Sequence, residues 1–271
     1  MLFSHKNHDE LEIIKDCLEY YELNDLFLNQ DQRYQYLKME LLNSNVVDFK
    51  AFKEFIQNTR GNNYTDFLIG TAYSNSINIK EHKHFEYRLL EEFLYIKFSF
   101  FTKKSVEQAL KIINQYKDRP YLILDLRNSP GGYIDACMAF CRFFIKDIKE
   151  LVTLYYKNKN TTYYSENRTP VGFKRINIFV NEQTASCSEI TALTLRTNLD
   201  SVRLIGGRTK GKECGQEIIV NKSKKFSLII ASFIWKCENN GIKELQQLIH
   251  NDVEDSVQFV TEDDFFSTVL I

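Results

Sequence analysis

Three short stretches hold the residues whose types and spacing suit chemistry. In Thr184-Ala185-Ser186-Cys187-Ser188-Glu189, small hydroxylated residues follow the apolar run Ile176 to Val180 and open a helical pattern from Ile190 to Arg196. A hydroxyl at a strand–turn–helix junction sits where unpaired backbone N–H groups and the positive helix end can hold a developing anion. That suits a nucleophile. By itself, however, the stretch reads more simply as a helix start capped by Ser186 or Ser188, with Glu189 in the first turn. In the second stretch, Leu122 to Tyr133, a buried-looking strand ends in Asp125-Leu126-Arg127-Asn128-Ser129-Pro130-Gly131-Gly132. Paired glycines let main-chain N–H groups approach a ligand closely, as an oxyanion hole requires, although an ordinary turn also uses them to relieve strain. The third stretch, Gly206 to Gln216, carries Lys212 among glycines just after a strand. Glu213 stands where a phosphate-binding loop needs Ser or Thr, which argues against nucleotide binding. What remains is a loop lysine, which most often is simply solvated.

Taken together and in this order, three motifs resemble one family. They are Asp125-Leu126-Arg127-Asn128-x-Pro130-Gly131-Gly132, Asn181-Glu182-x-Thr184-Ala185-Ser186-x-Ser188-Glu189-Ile190 and Gly206-x-x-Thr209-x-Gly211-Lys212-x-x-x-Gln216. They are similar to the carboxyl-terminal processing, or tail-specific, serine proteases. The resemblance runs from about residue 90 to the end, and more faintly over the helical N-terminus. It implies a crotonase-like core in which Ser186 is the nucleophile, Lys212 the general base and Gln216 the residue orienting that lysine. It also implies an oxyanion hole built from the backbone of Gly131, Gly132 and Cys187. No metal or cofactor is called for. A lysine titrates ordinarily near ~10.4, so this base must be desolvated before it can accept the Ser186 proton near neutrality.

The sequence also departs from the family pattern. The Ser186-to-Lys212 spacing is one residue longer, with Asn198-Leu199-Asp200 the place of the insertion. Cys187 and Cys214 fill positions usually small or hydroxylated, and Glu213 replaces the usual glycine, where it could pair with Lys212 and keep it charged. Cys187 is an alternative nucleophile, yet no histidine neighbours it in sequence. Val253-Glu254-Asp255-Ser256-Val257 takes the place of the family's acidic closing segment. About 25 residues separate Tyr64 from Leu90, too few for the PDZ domain that relatives use to grip substrate C-termini by strand addition.

The elements that must position these motifs follow from periodicity. From Asp9 to Thr59 apolar residues recur at helical spacing, with polar breaks at Asn29–Gln32 and Asn43–Val47, which predicts three helices. Gly61-Asn62-Asn63-Tyr64 is the first strong turn signal. Beyond it, β-prone runs (Phe67–Ala72, Phe93–Phe101, Tyr121–Asp125, Leu151–Tyr156, Ile176–Val180, Val202–Ile205, Glu217–Val220, Phe226–Ile234) alternate with helical patterns (Ser105–Tyr116, Ile134–Phe144, Glu189–Arg196). Such alternation predicts an α/β fold with a mainly parallel sheet, and Asn221–Lys224 predicts a hairpin. The expected organisation is a helical segment over 1–63 and an α/β core over 64–271.

Composition narrows the function. Lys plus Arg (35) nearly balances Asp plus Glu (36), so nothing favours capture of nucleic acid or an anionic membrane. The N-terminus lacks a signal-peptide core, no transmembrane run occurs, and six cysteines show neither CxxC nor framework spacing, which predicts free thiols in the cytoplasm. His82 and His84 form an isolated HxH read as a solvated pair. The function the resemblance implies is that of a serine endopeptidase cleaving a peptide or protein near its C-terminus. The alternatives are a catalytically weak or inactive peptide-binding scaffold and an esterase using the same serine. Oligomeric state is left open.

Overall fold

The helical spacing of the N-terminal part becomes α1 (Ser4–Asn24), α2 (Gln32–Asn43) and α3 (Phe49–Thr59) in the computed structural model, which describes residues 4–44, 47–77 and 84–250. Asp31 and Asp48 begin α2 and α3 by accepting hydrogen bonds from Tyr34 N (2.9 Å) and Ala51 N (2.8 Å), satisfying donors that the helix itself leaves open. Next come β1 (Asp66–Ile69), α4 (Gly70–Ile77), β2 (Phe85–Leu90), β3 (Phe93–Phe98), α5 (Lys103–Gln115), β4 (Tyr121–Asp125) and α6 (Ile134–Arg142). The chain continues through β5 (Glu150–Tyr156), β6 (Asn160–Tyr164), β7 (Arg175–Val180), α7 (Cys187–Asn198) and β8 (Val202–Gly206). It closes with β9 (Cys214–Asn221), β10 (Phe226–Lys236), α8 (Ile242–Leu248) and β11 (Ile249–His250).

These elements form two compact units. The first comprises Met1–His82, Thr153–Thr161 and Cys214–Trp235. Its helices bury Ile14, Leu18, Tyr21, Phe52 and Ile56 with Phe67 of β1 and Phe226, Leu228 and Ile230 of β10. Phe67 is fully buried, with ring centroids 5.0 Å from Phe52, 5.1 Å from Phe226 and 5.8 Å from Phe49. The antiparallel pairs β1–β10 and β9–β10 belong to a five-stranded sheet, and Asn221 opposite Phe226 closes the predicted hairpin.

The second unit comprises Lys83–Val152, Thr162–Glu213 and Lys236–Ile271. Its six-stranded sheet runs β11-β8-β7-β4-β3-β2, parallel from β11 to β3, with β2 antiparallel at the edge. Residues 122–125 of β4 are buried without alternation, as strands covered on both faces are. Parallel neighbours end at one edge of their sheet, so the turns after β4, β7 and β8 gather there. Those turns carry the three motifs.

The α/β class and the mainly parallel sheet are as expected. The run expected to continue as strand to Ala72 stops at Ile69, because Gly70, at φ +60°, turns the chain into α4. β2, β6 and α8 are short and mixed in polarity, and periodicity gave no sign of them. Val253–Val257 and His82 lie outside the described residues. Phe67→Ala should destabilise the chain by about 3–5 kcal/mol in urea unfolding followed by tryptophan fluorescence, since its three aromatic neighbours cannot close the cavity.

Candidate active site

The turn after β7 is built to expose one residue. Asn181 N donates to Thr184 Oγ1 (2.9 Å), Thr184 Oγ1 donates to Leu126 O (2.9 Å), and Ala185 N donates to Ser129 O (3.0 Å). Every residue from Thr184 to Leu195 is buried except Ser186. Ser186 has φ +55° and ψ −123°, a conformation that costs a non-glycine residue about 1–3 kcal/mol and persists only where its surroundings impose it. Cys187 follows as the first helical residue, and at that position a helix offers its N–H no acceptor of its own.

The turn after β4 lies against this elbow. Buried Asp125 anchors it by accepting from Arg127 Nε (2.9 Å), Arg127 Nη2 (2.7 Å), Arg127 N (3.0 Å) and Tyr95 Oη (2.7 Å). Burial together with the Asp125 carboxylate pushes the Tyr95 phenol upward. Asn128, at φ +61°, exchanges two hydrogen bonds with Asn181: its N–H donates to Asn181 Oδ1 (3.0 Å) and its Oδ1 accepts from Asn181 Nδ2 (2.8 Å). Ser188 Oγ donates to Ser129 Oγ at 2.8 Å, both buried. Gly131, at φ +106°, then passes so close that a Cβ there would stand 2.8 Å from Cys187 N and 3.0 Å from Ser186 Cβ. Gly132, at φ +151°, is equally constrained, by the Phe101 backbone, where a Cβ would come within 2.3 Å of the carbonyl oxygen.

The loop after β8 is held by Glu189. This fully buried carboxylate accepts from Ser186 N (2.7 Å) and Lys212 N (3.0 Å) on Oε2, and from Thr209 Oγ1 (2.6 Å) and Gly211 N (2.7 Å) on Oε1. The backbone nitrogens of Ser186 and Lys212 therefore lie no further apart than two hydrogen bonds laid end to end. Lys210 N adds a bond to Thr184 O (2.9 Å), and Gln246 of α8 brackets Thr209, accepting from its N–H (3.2 Å) and donating to its Oγ1 (2.7 Å). Burial pushes the Glu189 carboxyl above the usual glutamate range, against the pull of its four donors.

The predicted residues fall as follows. Ser186, Gly131, Cys187 and Lys212 are brought together by these turns. Gln216 lies in the first unit, on β9, where its Nε2 donates to Tyr64 O (2.5 Å). Glu213 is exposed, its carboxylate beside Gly241, where a Cβ would lie 3.9 Å away. The Cys187 thiol is buried and directed at Gly132 O (3.1 Å), and the adjacent Cys137 thiol together with burial pushes it well above the ordinary thiol range. A thiol so raised is a poor nucleophile. Glu189, Thr209 and Gln246 were missed as site residues. Glu189 and Thr209 left a signal as fixed positions of two of the motifs, and Glu189 also as the fourth residue of a Ser-x-x-Glu capping pattern, whereas Gln246 left none. Among the described residues no group of His, Cys, Asp and Glu is placed to hold a metal.

A family model described as Peptidase family S41 matches residues 92–253, which contain all three turns. The chain belongs to this family. It is 32% identical over 115 residues to the carboxy-terminal processing protease CtpA of Bacillus subtilis, a match covering 42% of this chain and 24% of that protein. It is 27% identical over 185 residues to a probable CtpA-like serine protease of Staphylococcus aureus, covering 63% and 36%. The chain thus spans about a quarter to a third of the length of these curated relatives. In fold it is similar to a lipoprotein of Streptococcus agalactiae (TM-score 0.69, 20% identity, 85% of this chain and 87% of that one). It is also similar to the photosystem II D1 C-terminal processing protease (TM-score 0.68, 12% identity, 89% and 93%).

Glu189→Gln turns an N–H₂ toward one pair of donors, so the amides of Ser186, Gly211 and Lys212 should exchange with solvent at least about tenfold faster, read by hydrogen–deuterium exchange. The folded carboxyl binds its proton more tightly than the unfolded one. The stability of wild type relative to Glu189→Gln should therefore fall as pH rises through that raised value, measured by urea unfolding between acid and neutral pH.

Proposed function

We propose that this S41 chain is a serine endopeptidase with a crotonase-like core, in which Ser186 is the nucleophile, Lys212 the general base and Gln216 the residue orienting that lysine. The observation that carries the reading is the strained Ser186 elbow, singly accessible in a buried stretch and tied through Glu189 to the backbone of Lys212. In this mechanism Ser186 Oγ attacks the peptide carbonyl carbon while its proton passes to Lys212 Nζ. The developing oxyanion is held by backbone N–H groups of Cys187 and the Gly131-Gly132 turn. The C–N bond then breaks, and Nζ returns the proton to the leaving amine. A water molecule, losing its proton to Nζ, attacks the acyl-enzyme, and the acid product leaves as Ser186 Oγ regains a proton. Nζ must be neutral to accept the Ser186 proton, as any general base must.

The substrate is a peptide or protein cut near its C-terminus, the activity after which the curated relatives are named. No described helix is long and apolar enough to cross a membrane. All six cysteines are buried free thiols, which suits a reducing, cytoplasmic compartment.

An aryl sulfonyl fluoride or fluorophosphonate should label wild-type protein at Ser186, read by intact mass and peptide mapping. Labelling should vanish in Ser186→Ala and slow by at least about 10²-fold in Lys212→Ala, the usual contribution of a positioned base. A wild type left unlabelled from neutral to alkaline pH would instead mark a peptide-binding scaffold.

A further inference from the structure

Beside the Gly131-Gly132 turn stands an aromatic surface that the reaction itself does not use. Tyr133 follows Gly132 directly and is 54% exposed. Phe100, half-buried, meets it edge-on with ring centroids 5.9 Å apart and planes at 86°, and His84 lies 5.7 Å beyond Phe100. The two segments are locked in register by Phe101 N donating to Gly131 O (2.8 Å) and Tyr133 N donating to Phe101 O (2.9 Å). Tyr133 stands two residues from Gly131, so its Cα lies at most about 7 Å from the glycine that touches Ser186 and Cys187.

Capping the helix does not call for a tyrosine at this position. It is the N-cap of α6, where Ser, Thr, Asp or Asn would satisfy an open helix donor, and Tyr133 makes no such bond. Its hydroxyl has no hydrogen-bond partner among the described residues. A large ring left in solvent where a small capping residue would stabilise the helix is the kind of local conflict that function sustains. We propose that Tyr133, backed by Phe100, is the wall that receives an apolar or aromatic substrate side chain adjoining the scissile bond. The inference rests on Ser186 as nucleophile. Its occupant follows from continuity with that elbow: with Tyr133 Cα at most about 7 Å from Gly131, the side chain flanking a carbonyl held at that turn is the one within reach of these rings. Ring-on-ring or ring-on-alkyl contact then adds affinity on the side chain next to the reacting carbonyl.

The test is the ratio of Ser186 labelling rates by two diphenyl aminoalkylphosphonates, one carrying a benzyl and the other a methyl side chain. The ratio should be about tenfold or more in wild type, fall to near one in Tyr133→Ser, and be retained in Tyr133→Phe and in Tyr36→Ser, an exposed tyrosine of the other unit. Serine is a preferred cap, so Tyr133→Ser should keep α6 intact, checked by thermal unfolding. A wild type without benzyl preference, or a Tyr133→Ser ratio equal to wild type, overturns the inference. If neither phosphonate nor a plain fluorophosphonate modifies Ser186 in wild type, the nucleophile assignment fails and this inference falls with it.

Discussion

The site depends on one carboxylate receiving four donors. Glu189 joins the elbow that presents Ser186 to the loop that presents Lys212, and it does so through backbone N–H groups rather than through the side chains of those two residues. A clamp of this kind fixes where the two backbone segments sit relative to each other. It also explains the small residues around it. Gly211, at φ +76°, lets the loop turn its N–H toward Oε1, and Thr209 supplies a hydroxyl that donates to Glu189 while accepting from Gln246.

The parallel sheet makes that clamp possible. β4, β7 and β8 are hydrogen-bonded neighbours running the same way, so the turns leaving them meet at one edge, and each turn is stitched to the next by polar groups that burial would otherwise penalise. The Asn128–Asn181 exchange joins the first two turns, the buried Ser129–Ser188 bond lies behind it, and Lys210 N to Thr184 O joins the second to the third. The Asp125–Arg127 pair anchors the first turn from inside the sheet, with Arg127 5.5 Å over the Phe179 ring. Asp125 is buried while Arg127 is partly exposed, so losing the arginine would strand the carboxylate charge, and the pair fixes geometry firmly.

Much of this was legible in the residue pattern because the elements are regular. Tyr121–Asp125 is a strand with the expected ends, and the three N-terminal helices break where polar residues interrupt the apolar spacing. The motifs marked the turns because glycine, proline and small hydroxyls punctuate the chain there. Glu189 was hidden by its own plausibility: a glutamate three residues after a serine is an adequate cap partner, and its bonds to Thr209, Gly211 and Lys212 exist only once β8 has returned beside β7. Gln246 was hidden more completely, since 37 positions separate it from Thr209 and no local rule links them. Glu213, feared as a partner for Lys212, instead points its carboxylate toward the head of α8, a direction set by loop geometry that spacing does not encode.

The energetics indicate what this edge of the sheet is for. Ser186 and Asn128 occupy positive-φ conformations and α6 begins without a side-chain cap, each a local cost of order 1 kcal/mol or more. Glu189 does not offset them as a simple stabiliser, because its carboxyl sits above the usual glutamate range: four donors fall short of the hydration the buried charge gave up. An apolar residue of similar size would leave those four donors without this acceptor, and it could not hold two N–H groups from different turns on one oxygen. The contribution peculiar to the carboxylate is therefore positional. The stability that tolerates it comes from the uninterrupted burial of residues 122–125 in β4 and of α7 from Cys187 to Leu195.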